Sequence, residues 1–130
     1  MSRENVEIVR AAYEQFARGD FSAFGDLPDD FEYVTSPNVP DAGTYRGEAA
    51  KRWMKAWGES FEGHVIEAAE MIDAGEKVFV AILQRGRPHG GQTALEGRWW
   101  QVVTLRGGEF ARTETFADPG QALAAAGLAE

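Results

Sequence analysis

The amino-acid sequence predicts an α+β domain in which a cone-shaped, curved, mostly antiparallel sheet packs on N-terminal helices. Three observations carry this reading. Helical periodicity is concentrated before residue 61, strand-like runs fill 64–116, and residues 94–116 read as two long strands joined at Gly107-Gly108. Segregation of helices from strands is the mark of α+β domains. Two glycines between apolar runs supply the positive φ angles of a tight hairpin turn. Four or five strands are too few to close a barrel, so the cone is expected to keep an open end.

Each element follows in order. Over residues 3–18, Val6, Val9, Tyr13 and Phe16 recur at three- and four-residue steps, which is one face of a helix. Ser2 is placed to cap it and Gly19 to end it. Asp20 can cap a short second helix with Phe21 and Phe24 facing inward, stopped at Leu27-Pro28. A short strand over 31–36 ends at Pro37, with Phe31, Tyr33 and Thr35 on one face and Glu32, Val34 and Ser36 on the other. Residues 37–46, with Pro37 and Pro40, read as a loop able to border a pocket mouth. A third helix over 47–61 carries the stripe Ala50, Trp53, Met54, Trp57 and Phe61. His64 to Ile72 alternates as a strand, 73–77 is a turn, and Val78 to Gln84 is an almost continuous apolar run. Such a run suits a central strand covered on both faces. Residues 86–93 read as an exposed loop. In the tail, Asp118 is at the cap position of a short helix, Pro119 at its first residue, Gln121 at its third and Gly127 at its end.

Composition narrows the function classes. A chain of 130 residues is one domain, spanning 1–130, and buries enough surface for a core with a small cavity. The net charge of −8 argues against nucleic acid and anionic membranes, which need a basic patch. With no cysteine there is neither a disulfide framework nor thiolate chemistry. The start M-S-R-E-N-V-E lacks an apolar signal core, and no apolar run approaches the ~18 residues of a membrane span, so a cytoplasmic location is expected. His64 and His89 are the only histidines and share no ligand-pair spacing, so no metal and no cofactor are expected. G-R-P-H-G-G at 86–91 lacks the spacing of a phosphate loop.

The hairpin mixes Gln101, Thr113, Glu114 and Thr115 with large apolar residues, which suggests a pocket wall rather than plain core. Trp53, Trp57, Trp99 and Trp100 are candidates to stack on a flat ligand, and Tyr13 and Tyr33 to present hydroxyls to it.

Several stretches resemble one family. E-N-V-E-I-V-R-A-A-Y-E-Q-F-A-R-G-D-F (4–21), D-D-F-E-Y (29–33), Y-R-G-E-A-A-K-R-W (45–53), F-V-A-I-L-Q-R-G-R (79–87) and the run from Trp100 to Leu128 resemble the nuclear transport factor 2-like superfamily, in its SnoaL-like (polyketide-cyclase-like) branch. The resemblance covers essentially the whole chain. It implies the cone fold but not one activity, because the superfamily spans cyclases, isomerases, dehydratases, hydrolases and noncatalytic members. Set against ketosteroid isomerase, the general-base aspartate of the first strand is replaced by Thr35 and Ser36 before Pro37. The first-helix tyrosine falls nearest Ala12, leaving Tyr13 about 100° around the helix. The buried acid falls on Gln101, whose amide still donates. The Asp-Arg-Asp arrangement of limonene epoxide hydrolase has no counterpart. The last-strand aspartate of the cyclases is nearest Glu114 and Asp118.

These residues support three readings. The first is a cofactor-independent isomerase, cyclase or hydratase with Glu114 or Asp118 as proton carrier and Gln101 with Tyr33 as oxygen binders. The phase that turns Trp99, Gln101, Thr113 and Thr115 inward turns Glu114 outward, and the sequence leaves that phase open. The second is a noncatalytic binder of an apolar, aromatic metabolite. The third is a dimerising interaction domain with a collapsed cavity. A homodimer is expected, since the outer sheet face is rich in Trp and Val and is a liability when bare.

Overall fold

A computed structural model describes residues 2–39 and 41–128. Helix α1 (Ser2–Ala17) is followed by a 3-10 turn (Ser22–Asp26), then strands β1 (Glu32–Val34) and β2 (Thr44–Arg46) and helix α2 (Glu48–Glu59). Strands β3 (Phe61–Ala74), β4 (Lys77–Pro88), β5 (Leu95–Arg106) and β6 (Glu109–Phe116) precede helix α3 (Pro119–Ala125). The caps expected at Ser2, and the stiffening expected from Pro40, concern side chains and positions outside the described residues.

The six strands form one sheet in the order β2-β1-β6-β5-β4-β3. All neighbours are antiparallel except β1 and β6, which run parallel with Tyr33 opposite Thr113. Register shifts at Glu62/Val65 and Ala68/Glu70 in β3, and at Thr104/Leu105 in β5, bend the long strands. Bulges of this kind raise local twist and curl a sheet. The sheet remains open, so it is the expected cone.

Inside the curl, α1 lays Val9, Tyr13 and Phe16 against Val78, Val80, Ile82, Val103 and Leu105. A second cluster joins Phe31 and Tyr33 to Ala50 and Met54 of α2. Helix α3 lies on the opposite face of the sheet, where Ala122 and Ala126 pack on Phe79 and Val102. Small residues four apart let that short helix approach closely. This explains the apolar run of β4: Val78, Val80 and Ile82 meet α1, while Phe79 meets α3.

Local signals are met where the chemistry is local. Gly107 and Gly108 both have positive φ, at 59° and 81°. Asp118 accepts a hydrogen bond from the Gln121 backbone N–H at 2.9 Å. Three boundaries differ. The stretch read as a loop over 37–46 contains β2, a three-residue strand too short to show alternation. Phe61 opens β3 rather than closing the third helix, and β4 runs on to Pro88 through part of the expected loop. Gly86 explains both, because a Cβ there would sit 2.8 Å from Cβ of Phe61, so only glycine lets the two strands meet at this point.

Gly47 marks the corner between β2 and α2. Its φ is 60°, its N–H donates to the Phe31 carbonyl at 2.7 Å, and a Cβ would lie 2.5 Å from the backbone oxygen of Asp29. Gly47→Ala is expected to cost about 1–3 kcal/mol from backbone strain, read as a lower urea midpoint with unchanged slope.

Candidate functional site

A cavity lies between the concave face of the sheet and the helices. Its volume is about 90 Å³. Tyr13, Tyr33, Trp53, Trp57, Trp99, Gln101 and Thr113 all line it. Alternation accounts for this: β5 turns Trp99, Gln101 and Val103 inward, and β6 turns Thr113 and Thr115 inward.

Its sheet end carries a buried polar network. The Tyr13 hydroxyl donates to Gln101 Oε1. Gln101 Nε2 donates to Thr115 Oγ1 at 3.1 Å, and Thr115 Oγ1 shares a hydrogen bond of 2.9 Å with the Tyr33 hydroxyl. Burial, then proximity to Tyr33, pushes the Tyr13 phenol well above its ordinary pKa, and burial likewise raises Tyr33. Both phenols therefore stay protonated and act as donors, not bases. Tyr13 reaches the position aligned with the isomerase's acid despite its one-residue offset, because Gln101 extends to meet it.

The opposite wall is aromatic. Tyr33 packs on Trp53 at 5.3 Å between ring centroids, and Trp53 stacks on Trp57 at 5.7 Å and 7°. Trp57 meets Phe61 edge-on at 5.5 Å, Phe61 stacks on His64 at 5.4 Å, and His64 on Phe21 at 5.0 Å. Phe21, Phe16 and Tyr13 complete the run. The polar network from Tyr13 to Tyr33 then closes a full circuit of contacts.

Glu114 is not in the cavity. With Thr113 and Thr115 inward, it faces the other side of β6, 3.8 Å from Arg112, beside the Glu32–Arg112 and Glu32–Arg46 pairs. Asp118 is a helix cap. Among the described residues, therefore, no carboxylate lines the cavity. Among the described residues, no group of three or more His, Cys, Asp or Glu lies together as a metal cage.

Sequence reasoning missed His64, Gln84 and Ser36. Ser36 follows the end of β1, where the chain turns and breaks the strand's alternation, so it is buried against the cavity. His64 sits in the first bulge of β3, just after Gly63 at φ 62°. A positive-φ glycine at a bulge re-aims the next side chain, and here it turns the imidazole inward. Gln84 shares the inner face of β4 with Val80 and Ile82, a signal present in the sequence as a polar residue at a core position. Gln84 Nε2 and His64 Nε2 are 2.8 Å apart, and His64 Nδ1 has no partner. Burial lowers the His64 pKa, so the ring is neutral at pH 7.

The profile of the SnoaL-like domain family matches residues 9–113. The chain belongs to the SnoaL-like family. Solved structures agree on the fold. A nuclear transport factor 2-like protein of Burkholderia thailandensis E264 is 26% identical, covering 94% of this chain and 95% of its own, with a TM-score of 0.74. A protein of Jannaschia sp. CCS1 described as a SnoaL-like polyketide cyclase is 18% identical over 98% and 94%, with a TM-score of 0.74. TerC, co-crystallised with polyporic acid, is 22% identical over 88% and 92%, with a TM-score of 0.72. No curated protein matches. Among the described residues of this SnoaL-like chain, no helix is long and apolar enough to cross a membrane.

The neutral, buried imidazole sets a pH dependence. Its unfolded pKa is 6.5 and its folded value is lower. The unfolded chain therefore binds more protons on acidification, and the stability held above about pH 6.5 is lost as pH falls through the folded value. His64→Phe is expected to lack this component. Urea midpoints measured stepwise from about pH 7 to pH 5.5 should fall less for the variant than for the natural chain; equal slopes would mean that His64 is not held neutral.

Proposed function

We propose that this SnoaL-like protein binds an apolar, aromatic small molecule in the cavity beneath β5 and β6. The observation that carries the reading is the stacked Trp53–Trp57 pair, continued by Tyr33, facing a polar network already satisfied within the protein. Flat apolar surface gains most from stacking and burial, and few polar groups remain to demand a hydrophilic partner. The co-crystallisation of TerC with polyporic acid is in keeping with a ligand in a cone of this kind.

A second reading, a cofactor-independent isomerase, cyclase or hydratase, is favoured by one observation. His64 lines the cavity, and its Nδ1 has no partner within the protein. It takes the proton-carrier role that Glu114 cannot fill from the outer face. Tyr33 and Thr115 are the groups able to offer a hydroxyl to a developing oxyanion.

Outside the cavity, Ala81 and Trp100 remain only partly buried on the outer sheet face beside α3. They support a homodimer through that face. The acidic, cysteine-free composition supports a cytoplasmic setting with no nucleic-acid or membrane partner.

Three of the four tryptophans line the cavity, so a bound aromatic should quench intrinsic fluorescence. Neutral bicyclic aromatics, 2-naphthamide among them, are expected to quench saturably, and Trp57→Ala to weaken that binding about tenfold. Mass spectrometry of the incubated ligand separates the readings: recovery unchanged supports a binder, and conversion supports an enzyme. Absence of saturable quenching by every neutral aromatic tried would overturn both.

A further inference from the structure

Beside the cavity lies a larger groove, of about 840 Å³, between the end of α1, α2 and the start of β3. The two are adjacent, since Phe24, Met54 and His64 line both. The cavity alone is smaller than the roughly 150 Å³ hollow that accommodates a benzene ring. A metabolite held by the cavity therefore has to place part of itself in the groove.

The charged residues lining the groove are mainly basic. The chain is acidic, yet Arg18, Lys51 and Lys55 stand on this rim against the single carboxylate of Glu59. Lys51 is mostly buried, with 18% of its side chain exposed, and its ammonium has only long contacts, 3.5 Å to the Gly25 carbonyl and 3.6 Å to Glu48. Asp20 is engaged by Ser22, although its charge also feels Arg18.

His64 supplies the independent observation. The side chain is nine-tenths buried, and its Nδ1 lacks a partner. With the Gln84 amide donating to Nε2, the proton of the neutral ring sits on Nδ1. That nitrogen faces Gly58, a groove residue, where a Cβ would be 3.3 Å away. An unsatisfied buried N–H beside a cationic rim suits an anionic acceptor.

We propose that this groove binds the carboxylate of an apolar organic acid, with Lys51, Lys55 and His64 Nδ1 as its donors. The apolar body passes the Phe24–Met54 partition into the cavity. This rests on the reading that the cavity takes an apolar ligand, and it adds the charge that ligand carries.

The test compares 2-naphthoate with 2-naphthamide, which share a ring system and differ in charge. In the natural chain at pH 7, naphthoate is expected to bind about tenfold tighter, the size of one charge-assisted hydrogen bond. Lys51→Gln with Lys55→Gln should bring the two affinities together by weakening naphthoate while leaving naphthamide unchanged. Gly58→Ala, whose methyl occupies the space facing Nδ1, should weaken naphthoate several-fold at unchanged naphthamide affinity. Equal affinity of the two probes in the natural chain would overturn the proposal, as would a preference that survives the lysine substitutions. Naphthamide binding with no naphthoate preference leaves the cavity reading standing alone, whereas failure of both probes to bind removes the cavity reading and the groove proposal together.

Discussion

The Tyr13 hydroxyl bonded to Gln101 is the contact on which the interior depends. It joins α1, the first element of the chain, to β5, whose neighbours are β4 and β6. Both side chains are almost wholly buried, so each polar group needs the other. An unpaired phenol or amide there costs about 1–3 kcal/mol. The pairing sets how closely α1 approaches the sheet. Val9, Tyr13 and Phe16 fill the space nearest the bond, and the hollow is what remains between them and α2.

Chemistry in that hollow is constrained by what faces it. Two phenols held protonated, two glutamines, threonines and a neutral imidazole are good hydrogen-bond partners and poor charges. The carboxylates weighed as proton carriers are elsewhere: Glu114 lies on the outer face beside Arg112, and Asp118 caps α3. On the function proposed above, shape and aromatic surface select a ligand inside, and charge does so only in the neighbouring groove lined by Lys51 and Lys55 of α2. Membership of the SnoaL-like family accounts for the scaffold; the neutral interior and the basic groove are features of this chain's own side chains.

Much of the scaffold was legible because its signals are local. The Gly107-Gly108 turn, the Asp118 cap and the stripe on α1 each depend on neighbours within a few residues. The inward set Trp99, Gln101 and Thr113 followed from alternation once one residue was placed. What escaped depends on distant parts of the chain. β2 exists because β1 pairs with it, and Phe61 leaves its helix because Gly86 makes room for it. His64 points inward because a bulge shifts the strand by one residue, and alternation read without the bulge misplaces it. Glu114 was ambiguous for the same reason: a strand's phase is set by its partners, and the choice needed the registered pair Gln101 and Thr115.

The hollow exists in this form only if Tyr13 and Gln101 hold each other. A double-mutant cycle with Tyr13→Phe and Gln101→Leu, read from urea unfolding, tests that most directly. The account predicts that the two substitutions together cost less than their sum, with a coupling of at least about 1 kcal/mol. Additivity within about 0.3–0.5 kcal/mol would contradict it, since α1 would then sit over the sheet without this bond.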